Sequence, residues 1–130
     1  MGLKIMNVKI IKIYNKGDYD KEYVSLEVMA DCEIGMYMIS DTTYTEKGEI
    51  SNKIRHVYWF PDKKVKKDDF VWLFTRPKKS TDKNEWSNKS NTMTHAFYWD
   101  LKTAVWNDKG NYAILFEIKE WAHKKVSEAV

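Results

Sequence analysis

Apolar side chains recur along this chain at every second position far more than at every third or fourth. Glu22 to Ala30 is the clearest run, with Val24, Leu26 and Val28 on one parity. Successive side chains of a strand point to opposite faces, so this rhythm predicts a strand with one buried face. Leu3 to Tyr14 alternates too, but changes parity: Met6, Val8 and Ile10 lie on one, Ile11 and Ile13 on the other. Such a switch predicts a β-bulge or a strand that passes between sheets. Further strands are expected at Ile34 to Ser40, entered through Gly35, at Ile54 to Phe60, at Phe70 to Thr75, at Thr92 to Trp99 and at Asn111 to Glu120. Leu101 to Trp106 is short and reads either way. The tail after Trp121 reads as a short helical turn or as frayed chain.

Turn signals separate these runs. Asn15-Lys16-Gly17-Asp18, Lys47-Gly48-Glu49 and Asn107-Asp108-Lys109-Gly110 are rich in residues that tolerate positive φ. Pro61-Asp62 ends the strand before it, because proline cannot donate to a ladder. A Lys-rich connection follows, with Val65 as its one apolar residue, and the longest loop runs from Lys78 to Asn91. No long segment has a 3.6-residue period. Seven to nine short strands with turns between them predict an all-β chain, an immunoglobulin-like antiparallel β-sandwich forming a single domain over residues 1–130. Trp72 and Trp99, central in their strands, are expected core anchors.

Composition fits this picture. Aromatics make up 15% of 130 residues, enough surface to bury a core without disulfides or metal. Cys32 is the single cysteine, so neither an intrachain disulfide nor a cysteine-based zinc site is available. It leans toward a reducing, cytoplasmic setting, with export after removal of a leader left open. Met1 to Lys9 has no continuous apolar stretch of the signal-peptide kind, and no segment approaches the roughly 20 apolar residues of a membrane span. No membrane insertion is expected.

Candidate chemistry is sparse. His56, His95 and His123 lie far apart and read as ordinary strand or surface histidines, so no metal is expected. Cys32 sits between Asp31 and Glu33, which disfavour its thiolate. The acid pairs Asp18 with Asp20, Asp31 with Glu33, and Asp68-Asp69 read as solvated turns or local charge balance. No phosphate-binding glycine loop and no nucleophile elbow is present, and no cofactor is expected.

Two features remain. The net charge of +3 is concentrated between Arg76 and Asn91, where Arg76, Lys78, Lys79, Lys83 and Lys89 face only Asp82 and Glu85. Cations around Trp86 suit a nucleic acid, with lysine on phosphate and tryptophan on a base. The plainer reading is a solubilising loop whose Trp86 folds back onto the sandwich. The second feature is aromatic surplus. Tyr58 and Trp59 are consecutive, as are Phe97, Tyr98 and Trp99, so strict alternation must turn some rings outward. An exposed strip of rings suits a protein surface or a sugar.

Three stretches, taken in order, resemble the lamin-tail domain. Glu22-Tyr23-Val24-Ser25-Leu26-Glu27-Val28 with Ile34-Gly35-Met36-Tyr37-Met38-Ile39-Ser40-Asp41 is similar to the family's first paired strands. Tyr58-Trp59-Phe60-Pro61, then Val65 to Leu73, resembles its central strands, and Phe97-Tyr98-Trp99 with Val105 to Leu115 its "W … W-N-D-x-G" region. The chain departs from the family at Met36-Tyr37, where a Trp is usual, at Asp68-Asp69, where a Gly is usual, and at Asn111, where an Asp is usual. The resemblance spans about Glu22 to Glu117. It implies an immunoglobulin-like sandwich without catalytic residues, used as an interaction module in nuclear filament proteins and as an accessory domain in bacterial secreted proteins. The expected function is therefore non-catalytic binding of a protein partner. Nucleic-acid binding through the Lys78–Lys89 loop around Trp86 and carbohydrate binding through exposed rings such as Trp59 are the alternatives. Oligomeric state is not legible.

Overall fold

The structure is a computed structural model that describes residues 6–43, 47–50, 52–106 and 111–127. Its strands are β1 Val8–Tyr14, β2 Tyr23–Val28, β3 Cys32–Glu33, β4 Tyr37–Thr43, β5 Val57–Trp59, β6 Lys64–Val65, β7 Phe70–Phe74, β8 Glu85–Ser87, β9 Met93–Tyr98 and β10 Asn111–Glu117, with one 3-10 turn at Ile34–Met36. They form a five-stranded sheet in the order β1-β2-β7-β9-β8, a three-stranded sheet β10-β4-β5 and a small β3-β6 pair. The chain is the all-β sandwich that its alternation predicts.

Alternation fixes which side chains are buried. Val24, Leu26 and Val28 of β2 are fully buried, as are Val71 and Leu73 opposite them on β7. They share one hydrophobic cluster with Tyr37, Ile39, Phe60, Trp99, Val105 and Trp106. The parity change in the first strand is a β-bulge: the register with β2 slips between Ile10 and Lys12. The bulge keeps Val8, Ile10 and Ile13 with the core and leaves Ile11 exposed. Asn15 and Gly17 take positive φ in the turn that follows, which Asn tolerates and Gly adopts freely.

Several expectations need correction. The strand expected from Ile34 begins only at Tyr37, because Ile34–Met36 is a 3-10 turn. Glu33 caps that turn by accepting from the Gly35 amide, and its carboxylate also accepts from the Lys63 amide. Gly35 lies against Asp62, where an added Cβ would sit 2.2 Å from Asp62 Oδ1. Val65, read as an isolated apolar residue, is buried in β6 opposite Cys32. The loop expected from Lys78 to Asn91 contains β8, which forms a hairpin with β9. Trp72 is not a core anchor; it stands half-buried on the outer side of β7, whereas Trp99 is buried. The Asn107–Gly110 turn lies outside the described residues. Residues 121–127 have no regular structure.

One pairing also departs from a purely antiparallel sandwich: β7 and β9 run parallel. Strands joined in parallel need a long crossover of about a dozen residues or more. Here the chain leaves β7, passes the end of β9, forms β8 at the sheet edge, and returns as β9 between them. The length of the basic loop is thus set by topology.

Candidate interaction surface

Among the described residues three carboxylates are buried, and each ties distant segments together. Glu22, fully buried, accepts from the Gly17 amide at 3.0 Å, Thr75 Oγ1 at 2.5 Å and the Val105 amide at 2.9 Å. Asp41, also fully buried, accepts from the His56 amide at 2.8 Å and Arg55 Nε at 3.1 Å, and sits 3.0 Å from His56 Nδ1. Asp69 accepts from the amides of Lys66 and Met93 at 3.0 and 2.9 Å, and lies 2.9 Å from His95 Nε2. Burial pushes the Asp69 carboxyl up, but the His95 contact and the two amides outweigh it and hold it below the usual value. Asp69 is therefore not the solvated turn acid expected from Asp68-Asp69, and His95 is a buried partner to it. No group of three or more His, Cys, Asp or Glu that could hold a metal occurs among the described residues.

The basic loop is ordered by its own contacts. Arg76 Nη1 and Nη2 reach Asp82 at 2.7 and 3.3 Å, and Arg76 Nε donates to the Asp20 carbonyl. Arg76 also stacks over the rings of Phe74 and Tyr98. Its guanidinium and the Lys79 amide hold the Asp82 carboxyl below the usual range. The Lys83 carbonyl accepts from Tyr98 Oη at 2.9 Å. Lys78, Lys79, Lys83 and Lys89 are exposed, while Trp86 packs edge-on against Trp72, with centroids 5.2 Å apart. Trp86 folds back onto the sandwich, the plainer of the two readings.

Trp86 belongs to a row of rings on the outer face of the five-stranded sheet. Tyr14 stacks on Tyr23 at 5.0 Å, Tyr23 on Trp72 at 4.5 Å, and Phe74 on Tyr98 at 5.4 Å with only 12° between planes. Neighbouring strands are about 4.8 Å apart, so rings stacked across strands at that spacing stand side by side on the sheet. Their π-faces cover one another, and Lys12 and Arg76 lie over those of Tyr14 and Tyr98. Such a row presents ring edges to solvent. Sugar rings and nucleobases are held by ring faces.

The consecutive pair Tyr58-Trp59 divides as alternation demands. Tyr58 turns inward against Phe60, Phe97 and Trp99. Trp59 turns outward and is 45% exposed, with its Nε1 donating to the Gly35 carbonyl at 2.7 Å. Val57 (43% exposed) shares its strand face, and the ring of Trp121 (57%) meets Trp59 edge-on at 5.1 Å. Ring contact and strand position thus bring three exposed apolar side chains together. Trp59 stands on the three-stranded sheet and Trp86 on the five-stranded one, so the expected binding residues do not form one site. Sequence reasoning missed Trp121; its signal was a lone Trp in a tail with few other large apolar residues.

A shallow cleft of about 290 Å³ opens between Cys32, Glu33, Tyr37 and Glu117. Burial, then Glu33, Asp31 and Glu117, push the Cys32 thiol up to about 11. Burial and the bond it donates to Glu117 at 2.8 Å raise the Tyr37 hydroxyl as well. Both shifts favour the protonated thiol and hydroxyl at neutral pH.

No helix of the described residues is long and apolar enough to cross a membrane. Comparison with protein-family models gave no match, and comparison with curated proteins gave none either.

Proposed function

We propose that this chain is a non-catalytic interaction module of lamin-tail-like type that binds a protein partner through the outer face and edge of β5. The observation that carries the reading is the exposure of Trp59, Trp121 and Val57 together, on a strand at the edge of its sheet. Single exposed apolar residues are ordinary; a group containing two tryptophans is the composition of an interface centre. The lamin-tail reading is supported by the order and spacing of its three stretches. The non-catalytic reading is supported by Cys32, whose burial and acidic neighbours disfavour the thiolate.

Protein is favoured over sugar or nucleic acid because the rings of the five-stranded sheet spend their faces on one another, and Trp59 and Trp121 meet edge to face. The test presents a random-peptide phage library, a single-stranded oligonucleotide and a set of soluble oligosaccharides to the wild-type chain and to a Trp59→Ser/Trp121→Ser variant. Peptides enriched on the wild type and lost on the variant are the expected result. Oligonucleotide or oligosaccharide binding with no peptide enrichment refutes the reading.

A further inference from the structure

The backbone of β5 offers more than an apolar surface. Tyr58 lies opposite Ile39 of β4, and the flanking bonds run from Asp41 N to the His56 carbonyl and from Phe60 N to the Tyr37 carbonyl. Residues 56, 58 and 60 therefore turn their amide groups toward β4, and the N–H and C=O of Val57 and Trp59 point away from it. β5 is the last strand of its sheet, and no strand among the described residues pairs with that side. The outward donors stop there in both directions: the Arg55 amide donates to the Asp41 carbonyl, and residue 61 is a proline. The edge is thus two donors and two acceptors, centred on Tyr58.

The side chains of this edge stand on an uncharged face. Ile39, Leu115 and Tyr58 lie opposite one another and pack on the core. Alternation places the neighbouring rungs, Phe116–Met38–Trp59 and Ile114–Ser40–Val57, on the other side of the sheet. Neither rung holds a charged residue. Burying a partner's charge against such a face costs its desolvation with nothing there to pair it. The electrostatic complement is another uncharged face beside a free edge, and a second copy of this chain supplies both.

Symmetry then fits the edge to itself. A two-fold axis beside Tyr58 sets β5 antiparallel to its copy, with Val57 opposite Trp59 of the second copy and Trp59 opposite Val57. Residues opposed in this way exchange both N–H···O bonds, so four bonds form and no outward group of the edge is left over. The same register sets the large Trp59 beside the small Val57 on each side of the axis. A slip of one residue would bring inward-facing side chains onto this face, which fixes the register.

Resting on the protein-binding reading above, we infer that the partner is a second copy of this chain, joined edge to edge through β5 so that two three-stranded sheets continue as one of six strands. Trp59, with Trp121 edge-on against it, covers Val57 of the other copy.

Sedimentation of the full chain over a concentration series tests this. A dimer should form with rising concentration and persist at high salt, since the contact buries no charge. Val57→Pro removes an outward N–H and breaks no bond to β4, a position where an edge strand tolerates proline. It takes two of the four bonds from each dimer, so the dissociation constant should rise about tenfold or more. Val57→Lys and Val57→Glu should each abolish the dimer, and mixing the two chains should restore it, because these diagonal positions lie about 7–8 Å apart across the pair. Recovery on mixing shows that both variants are folded.

A monomer up to about 1 mM chain overturns the second copy; if library peptides still require Trp59 and Trp121, the protein-binding reading survives and the edge belongs to a different protein. A dimer that high salt dissociates, that Val57→Pro leaves unchanged, or that the mixed charge variants fail to restore lies on another surface and overturns the inference.

Discussion

Removing the Asp69 carboxylate tests how far one buried acid holds the five-stranded sheet together. The residue is 4% exposed, at the start of β7, and its side chain reaches back to the Lys66 amide and across to the Met93 amide and His95. Its backbone joins β2 as well, since the Asp69 carbonyl accepts from the Val28 amide. Asp69→Ala leaves two amides and an imidazole nitrogen without this acceptor. His95 Nδ1 has no partner among the described residues, so the ring would keep none there. A buried donor left unsatisfied costs about 1–3 kcal/mol, which for three such groups places the loss for Asp69→Ala at about 3–9 kcal/mol. Total stabilities of domains are about 5–15 kcal/mol, so the variant should be close to unfolding. Asp69→Asn keeps one oxygen acceptor and should lose about 1–3 kcal/mol. Urea unfolding followed by tryptophan fluorescence at neutral pH measures both. The pH dependence has a definite sign. A carboxyl held below its unfolded value contributes stability above that value and loses it as pH falls through the folded one. The wild type should therefore weaken as pH drops below about 4, and Asp69→Asn should weaken less over that span. A loss under about 1 kcal/mol for Asp69→Ala would show that the carboxylate is a passenger.

Two further outcomes follow from local geometry. Gly35→Ala places a methyl group 2.2 Å from Asp62 Oδ1 and 3.0 Å from Asp62 Cα, and the backbone atom cannot rotate away. A loss of about 1–3 kcal/mol is expected, read as a lower urea midpoint at unchanged slope, with Asp62→Ala restoring only part; an unchanged midpoint contradicts the close approach. The Cys32 thiol, pushed up to about 11, should react with iodoacetamide at a rate that climbs steadily from neutral pH and levels only near that value. A plateau near the ordinary thiol range of about 8–9 would contradict the buried, acid-flanked setting.

Much of the fold was readable because strand burial is a local alternation. Val24, Leu26 and Val28 needed no partner to declare one face, and the change of parity between Ile10 and Ile11 announced the bulge that the β1–β2 register contains. Where the same rhythm misled, the missing information was distant. Trp72 alternates like a core residue, but β7 buries Val71 and Leu73 and turns Trp72 to the far side. Ile34 to Met36 looks like the start of β4, yet Glu33 and the nearness of Asp62 bend it into a turn. Asp69 looked like a solvated turn acid, and nothing beside Glu22 announced its burial, because neither acid's neighbours in sequence name Met93, His95, Thr75 or Val105 as partners.

The candidate surface divides along the same line. Sequence alone determined that Tyr58 and Trp59 point opposite ways, that the chain is all-β, and that cations cluster after Arg76. Only the tertiary structure decided that Trp59 is the outward ring, that β5 is the edge of its sheet, that Trp121 joins it, and that the loop around Trp86 is long because β9 must pair parallel with β7. Side-chain parity is written in neighbouring residues through the geometry of a single strand. Which face meets a second layer, and which strand is left without a neighbour, depends on pairings between segments far apart in the chain.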